Sequence, residues 1–169
     1  MLLSDAAKNA ADSIVLRLYE EAREDVYYYV VSLGLPAAQA QDVAQEVFLK
    51  LYMQLRQGEE IRSVRGWIFR VAHNEALKWK AKDKRLSDWN PALEPVSDAP
   101  GAEKRMLQKE SRQRLNEALA DLSPQQRQVL QLRAAGLRYR EIADTIGVGV
   151  STVNEFMRRG VARLRKAVQ

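Results

Sequence analysis

Apolar residues recur along this chain at helical spacing, and no stretch alternates as a half-buried strand would. In Ala40–Leu55 the apolar positions are Ala40, Val43, Ala44, Val47, Phe48, Leu51, Tyr52 and Leu55. That i, i+3, i+4, i+7 rhythm gathers them into one stripe and predicts an amphipathic helix. Ile14–Val31 predicts another, stopped by Gly34 and Pro36. Trp67–Lys84 predicts a third, with Ile68, Val71, Ala72, Ala76 and Trp79 on one side. Between the second and third, Gln57–Gly66 carries two glycines and reads as a loop.

The pattern then breaks. Leu86–Gly101 holds three of the five prolines, Pro91, Pro95 and Pro100, among Ser, Asp and Asn. Proline removes backbone donors and disfavours helix at the residue before it, so this segment predicts a linker. A helix is expected to resume near Glu103 and run to Asp121. Ser123-Pro124-Gln125-Gln126 is a strong helix start, with Ser as N-cap, Pro at the first helical position and Gln three residues after the cap. Gly136 suits a left-handed cap at that helix's end. The expected fold is all-α, two small helical domains on a flexible tether. Residues 1–85 form the first domain, 86–102 the linker and 103–169 the second.

Composition narrows the chemistry. With 46% hydrophobic residues in a chain of 169, a core can form and overall disorder is excluded. The absence of cysteine excludes disulfides, thiolate zinc sites and cysteine nucleophiles, and the single histidine, His73, excludes a multi-histidine metal centre. No cofactor is expected. The longest apolar run, Val26–Val31, falls far short of the roughly 20 residues that span a bilayer. No secretory signal is visible near Met1, so a cytoplasmic protein without membrane insertion is expected.

Charge distribution says more than the net +5. Residues 1–60 carry −5, residues 61–85 carry +6, residues 86–110 carry −2 and residues 111–169 carry +6. Two basic blocks separated by acidic chain suggest two places that meet a polyanion, as against merely solvated helix faces.

The second block contains a helix-turn-helix. Tyr139–Ile146 makes a short helix with Ile142, Ala143 and Ile146 inward. Gly147 supplies the positive φ of the tight turn, Val148 plugs the angle between helices, and small Ala143 permits close approach. The following helix, about Ser151 to Arg165, turns Val153, Met157, Val161 and Leu164 inward. It presents Ser151, Thr152, Asn154, Glu155, Arg158 and Arg159 outward. Such a helix fits the major groove, where Asn pairs with adenine, Arg with guanine, and Glu accepts from the cytosine amino group. Arg163, Arg165 and Lys166 are placed for phosphates. Coincidence of turn glycine, plug, small residue and outward arginines favours duplex DNA binding over an ordinary basic hairpin.

The first block differs. Arg70, Asn74, Lys78, Lys82 and Arg85 fall on one helical face, interleaved with Trp67, Phe69 and Trp79. Aromatic rings beside a cationic track suit unstacked bases, which stack while the cations hold the backbone. Arg62 and Arg65 lie in the loop just before and are candidates to grip an extruded base. For Trp67 and Trp79, burial in the core is the stronger expectation. Upstream, Asp42, Gln45 and Glu46 sit opposite the apolar stripe. Paired carboxylates bind metals or act as acid and base, but no further carboxylate or histidine shares an obvious pocket with them. A partner-docking surface is favoured over catalysis.

Three motifs in order carry a resemblance: Asp42-Val-Ala-Gln45-Glu46-Val-Phe48-Leu-Lys-Leu-Tyr52, then Trp67-Ile-Phe-Arg-Val71-Ala72-His-Asn74, then Leu122-Ser-Pro with Ile142-Ala143, Ile146-Gly147-Val148 and Ser151-Thr152-Val153. The chain resembles the bacterial sigma-70 family in its minimal, extracytoplasmic-function branch, which keeps only domains two and four. The resemblance covers about Val15–Arg85 and Glu103–Lys166. It implies a non-enzymatic factor that binds core RNA polymerase and directs it to promoters. By matched position, Asp42, Gln45 and Glu46 would dock on the β′ clamp helices. The Gln57–Arg65 loop, Trp67 and Asn74 would capture and melt the −10 element, with Lys78–Arg85 on adjacent backbone. Domain four would read the −35 element and touch the β flap. An anti-sigma factor that clamps the two domains together is an implied partner.

Two departures from the family pattern stand out. Asn154 and Phe156 occupy positions that are often basic, and Glu155 one that is often small and polar, so Phe156 has room to join the core. Arg138 replaces the usual small residue before the first helix of the hairpin, which weakens that cap. Two other classes compete. A polymerase-independent helix-turn-helix regulator would explain Leu122–Arg159 alone, yet the first half offers neither the parallel sheet nor the acidic pocket of a receiver domain. A Mg²⁺ enzyme built on Asp42 and Glu46 lacks the additional carboxylates it needs.

Overall fold

The computed structural model describes residues 2–84 and 102–168. Among them are seven α-helices and no strand. They are α1 (Leu2–Ser32), α2 (Ala37–Arg56), α3 (Val64–Lys82), α4 (Ala102–Ala120), α5 (Pro124–Ala134), α6 (Tyr139–Ile146) and α7 (Val150–Val168). The linker residues 86–101 lie outside the described part, as does Arg85.

The stripe expected on α2 is the one that is buried: Ala40, Val43, Ala44, Val47, Phe48 and Leu51. It packs against Ala22, Val26, Val30 and their neighbours on α1, to which α2 is joined by a short turn through Gly34 and Pro36. Tyr19 meets Phe48 edge-on, with ring centroids 5.2 Å apart. α1 is longer than the expected Ile14–Val31. The added segment carries Ala6, Ala7, Ala10 and Ala11 and no breaker, a composition that favours helix.

α3 closes the three-helix unit and starts earlier than expected. Ser63 is its N-cap and accepts the Gly66 amide at 3.1 Å, so Gly66 sits in the first turn and the loop ends at residue 62. Its buried positions are Ile68, Phe69, Ala72, His73 and Ala76. Phe69 is therefore wholly enclosed, which removes it from the expected base-stacking set. Trp79 departs the other way. Burial along α3 stops at Ala76, about one turn earlier, and the tryptophan is 38% exposed rather than core.

The second unit begins with α4 and α5, joined at Leu122. Arg127, itself buried, donates to the Leu122 carbonyl at 2.9 Å, tying the end of α4 to the start of α5. Ser123 and Gln126 form the reciprocal capping box, each bond 3.2 Å, with Pro124 at the first helical position. α6 buries Ile142, Ala143 and Thr145. Gly147 ends it at φ +74°, the left-handed conformation that the turn requires. Val148 and Phe156 pack on the core, and Val153 of α7 is fully buried.

The two units share one continuous apolar cluster. Val129, Leu132, Leu137, Ile142, Ala143 and Val153 join the residues of α1–α3. The tether expected between the two units is thus accompanied by direct contact of α3 with α6 and of α1 with α5.

Candidate nucleic-acid and polymerase interfaces

Three polar faces emerge, each set by the apolar face behind it. On α2, Asp42, Gln45 and Glu46 are all exposed, because the buried stripe that surrounds them in sequence turns them away from α1 and α3. Leu49 and Met53 continue that ridge, each 53% exposed. The ridge ends near Lys50, which bonds Glu75 of α3 at 2.7 Å. Lys78 reaches the same carboxylate at 3.3 Å, and the two ammonium groups, Lys50 foremost, hold Glu75 below the ordinary carboxylate range. Among the described residues, no group of three or more His, Asp or Glu side chains is placed to hold a metal ion.

The second face runs along α3. Arg70, Asn74, Lys78 and Lys82 are exposed on it, one turn apart. Trp67 is half-buried at its head and lines a cavity of about 220 Å³ together with Ile61, Arg62 and Arg70. A ring, two guanidiniums and a recess are the components that hold an unstacked base beside its phosphates. Directly beneath lies a buried pair foreign to the expected site. The Tyr29 hydroxyl and His73 Nδ1 are 2.7 Å apart. Burial pushes the Tyr29 hydroxyl far up and the His73 ring down from its ordinary value, the nearby Lys80 adding to the latter. Tyr29 is accordingly the donor, and Nδ1 of a neutral imidazole the acceptor.

Arg65 differs from its loop neighbours. Its Nε donates to the Ala135 carbonyl at 2.6 Å, a second nitrogen meets Asp25 at 3.1 Å, and the guanidinium lies 5.9 Å from the centre of the Phe69 ring. It is engaged between the two units rather than directed to solvent.

The third face is the outer side of α7, where Ser151, Asn154, Arg158 and Arg159 are exposed and Thr152 and Glu155 half-exposed. Glu155 organises it. Arg158 donates twice to its carboxylate, at 2.9 and 3.2 Å, and Arg159 once, at 2.6 Å. These bonds, Arg158 foremost, lower the Glu155 carboxyl and raise Arg158. Arg163 donates to the Asp121 carbonyl at 3.0 Å while remaining exposed. At the head of α6 the cap is half formed: Arg138 offers its backbone N–H to Glu141 at 3.1 Å, with no side-chain cap bond in return.

Two family models match this chain in order, Sigma-70 region 2 over residues 18–86 and Sigma-70 region 4 over residues 112–164. The sigma factor SigL of Mycobacterium tuberculosis is 30% identical over 168 residues, covering 95% of this chain and 92% of that protein. The chain belongs to the sigma-70 family, in its extracytoplasmic-function branch. The ferric citrate uptake sigma factor FecI of Escherichia coli is 31% identical over 163 residues, with 94% and 93% of the two chains covered. In fold, the sigma factor resembles RpoE of Bartonella quintana, whose structure was solved in complex with the anti-sigma factor NepR. The TM-score is 0.66 at 20% identity, covering 92% of this chain and 96% of that one.

Membership makes this protein an RNA polymerase sigma factor and disfavours a free-standing helix-turn-helix regulator, which would leave residues 18–86 unexplained. The family consists of non-catalytic initiation factors. No helix among the described residues is long and apolar enough to cross a membrane. Four residues were not legible in the sequence: Tyr29 and Asp25, remote from the His73 and Arg65 they bond, and Glu141 and Asp144 of α6, which line the same cavity as Trp67. A buried-tyrosine position on α1 with the lone histidine 44 residues later was the faint signal for the first.

Proposed function

We propose that this sigma factor divides promoter recognition among its three exposed faces. Asp42, Gln45 and Glu46 dock on the β′ clamp helices of core polymerase. Arg62, Arg65, Trp67, Arg70, Asn74, Lys78, Lys82 and Arg85 capture the −10 element as unpaired strand. Ser151, Thr152, Asn154, Glu155, Arg158, Arg159 and Arg163 read the −35 element as duplex, and the second unit also touches the β flap. Residues 1–85 act as domain two, 86–102 as linker and 103–169 as domain four. The protein works in the cytoplasm and has no enzymatic activity of its own. Its regulator is an anti-sigma factor.

The observation that carries this reading is the separation of two cationic faces of different construction. The face on α3 has a half-buried tryptophan at a recess, suited to a base taken out of its stack. The face on α7 is a rigid polar helix with a carboxylate-braced arginine pair, suited to a groove. Melting then draws on binding energy, since capturing unstacked bases offsets the few kcal/mol of stacking lost. Tethering two modest contacts raises the effective concentration of the second once the first is made. Purified protein mixed with core polymerase should co-elute in gel filtration at one-to-one stoichiometry, and Glu46→Lys should abolish that shift. Persistent separate elution of the unaltered chain would refute the reading.

A further inference from the structure

Glu155 stands at the centre of the outer side of α7. At about 100° per residue it lies nearly opposite the buried Val153, with Arg158 and Arg159 to either side of it around the helix. Helical side chains lean toward the N-terminus, so both arginines, one turn later, fold back over it. The backbone under the trio is pinned. Val153 is fully buried, Phe156 and Met157 pack on the core, and a Cβ on Gly160 would stand 3.0 Å from Leu130 Cδ1, so α5 and α7 touch there.

The bonds divide each guanidinium into used and unused edges. Arg158 donates Nε–H to Oε2 at 3.2 Å and an Nη2 hydrogen to Oε1 at 2.9 Å, which occupies its side-on edge. The end-on edge, Nη1 with the second hydrogen of Nη2, is left over, and two parallel donors of that kind match O6 and N7 of a guanine. Arg159 is held through Nε alone, at 2.6 Å, and keeps both terminal nitrogens as donors. Oε1 thus accepts two charge-assisted bonds and Oε2 one, so a cytosine amino group would compete with two arginines for the same oxygens. The carboxylate also cancels one of the two positive charges beside it.

We infer that Glu155 reads no base itself and is a positioning residue for −35 specificity, presenting the end-on edge of Arg158 to a guanine and withholding one charge from the DNA backbone. This rests on the assignment of the outer side of α7 to duplex DNA. An unbraced arginine on this face samples many rotamers, and those that reach a phosphate serve every sequence alike. Held by the carboxylate, Arg158 is ordered for a base edge before DNA arrives. The brace therefore lowers non-specific affinity and raises discrimination.

The test uses holoenzyme reconstituted from core polymerase and the full chain, offered promoter duplexes with a randomised −35 segment. Sequencing the bound fraction gives the preference at each base pair. Arg158→Ala should erase a guanine preference at one base pair, a factor of about 5 to 150 for a bidentate contact. Glu155→Ala should cut the preference at that same base pair by roughly three- to tenfold and leave the other base pairs as in the parent. The double variant should be no worse there than Arg158→Ala alone, because the two side chains act as a unit. On a duplex of scrambled −35 sequence, Glu155→Ala should bind more tightly, its log affinity falling with log salt more steeply by about 0.9, the increment for one added phosphate contact. Glu155→Asp keeps the charge on a shorter stem, and should restore the parent's salt slope without restoring the full preference.

A Glu155→Ala variant that keeps the parent's preference at every base pair overturns the proposal. So does a loss confined to a base pair that Arg158→Ala leaves intact, which would make Glu155 a reader in its own right. An equal loss at all base pairs marks a structural lesion and overturns it too. A parent holoenzyme with no preference anywhere in the randomised segment refutes the duplex-reading assignment itself, and the brace falls with it.

Discussion

Replacing Tyr29 by Phe tests the polar pair beneath the α3 face. The change deletes one oxygen from a side chain that is 3% exposed and leaves the ring packed against Phe69. His73 Nδ1 then loses the donor that stood 2.7 Å away, in a site with little access to water. Leaving one buried acceptor unpaired costs about 1–3 kcal/mol. For a chain of this length each kcal/mol lowers the melting temperature by roughly 2–4 °C. Differential scanning calorimetry of the full chain at pH 7.5 should therefore show a fall of roughly 2–12 °C.

The pH dependence has a definite sign. The folded-state pKa of His73 lies below its ordinary value of 6.5, through burial first and Lys80 second. Below pH 6.5 the unfolded chain binds a proton that the folded chain resists, so stability falls as pH drops through that value and stops falling once the folded state also protonates. The slope contributed by this one group is at most about 1.4 kcal/mol per pH unit. His73→Gln, which keeps an acceptor for Tyr29 and does not titrate, should flatten the profile between pH 5 and 7. A Tyr29→Phe variant within about 0.5 kcal/mol of the parent, or an equally steep profile after His73→Gln, would refute the reasoning.

Other substitutions separate the remaining parts of the account. Asn74→Ala should reduce permanganate reactivity of promoter thymines in the polymerase complex while leaving −35 duplex affinity unchanged. Arg158→Ala should do the reverse, costing about 1–3 kcal/mol in duplex binding if it reads one base; identical defects from the two would contradict the division of labour. Ser123→Ala removes one arm of the α5 capping box and should destabilise the chain by about 1 kcal/mol in chemical denaturation. Gly147→Ala forces a side chain into φ +74° and should cost about 1 kcal/mol, with the loss seen in stability before it is seen in promoter binding.

Local signals in the sequence transferred faithfully. The α2 stripe, the Ser123 start and the Gly147 turn depend on neighbours within one or two helical turns, and each is found where its residues place it. α3 was less legible. Its core face is centred on Phe69 and His73 and burial ends at Ala76 rather than running on to Trp79, because the reach of the helices packed on α3 is not written in its own periodicity. The candidate site shows the same limit. Outward positions on α2 and α7 follow from the apolar face behind them. Contacts between Ser63 and Glu141, 78 residues apart, or Arg65 and Ala135, 70 apart, depend on how two units meet. Arg65 reads as a solvent-facing cation in sequence and is held by a carbonyl and a carboxylate in the structure.

The most direct test supplies core polymerase with the purified chain on fragmented genomic DNA and maps the 5′ ends of the transcripts. The account predicts discrete start sites, each preceded by two short elements at near-constant spacing, which disappear when the chain is omitted. Transcripts with no defined start, or the same set from core polymerase alone, would contradict it.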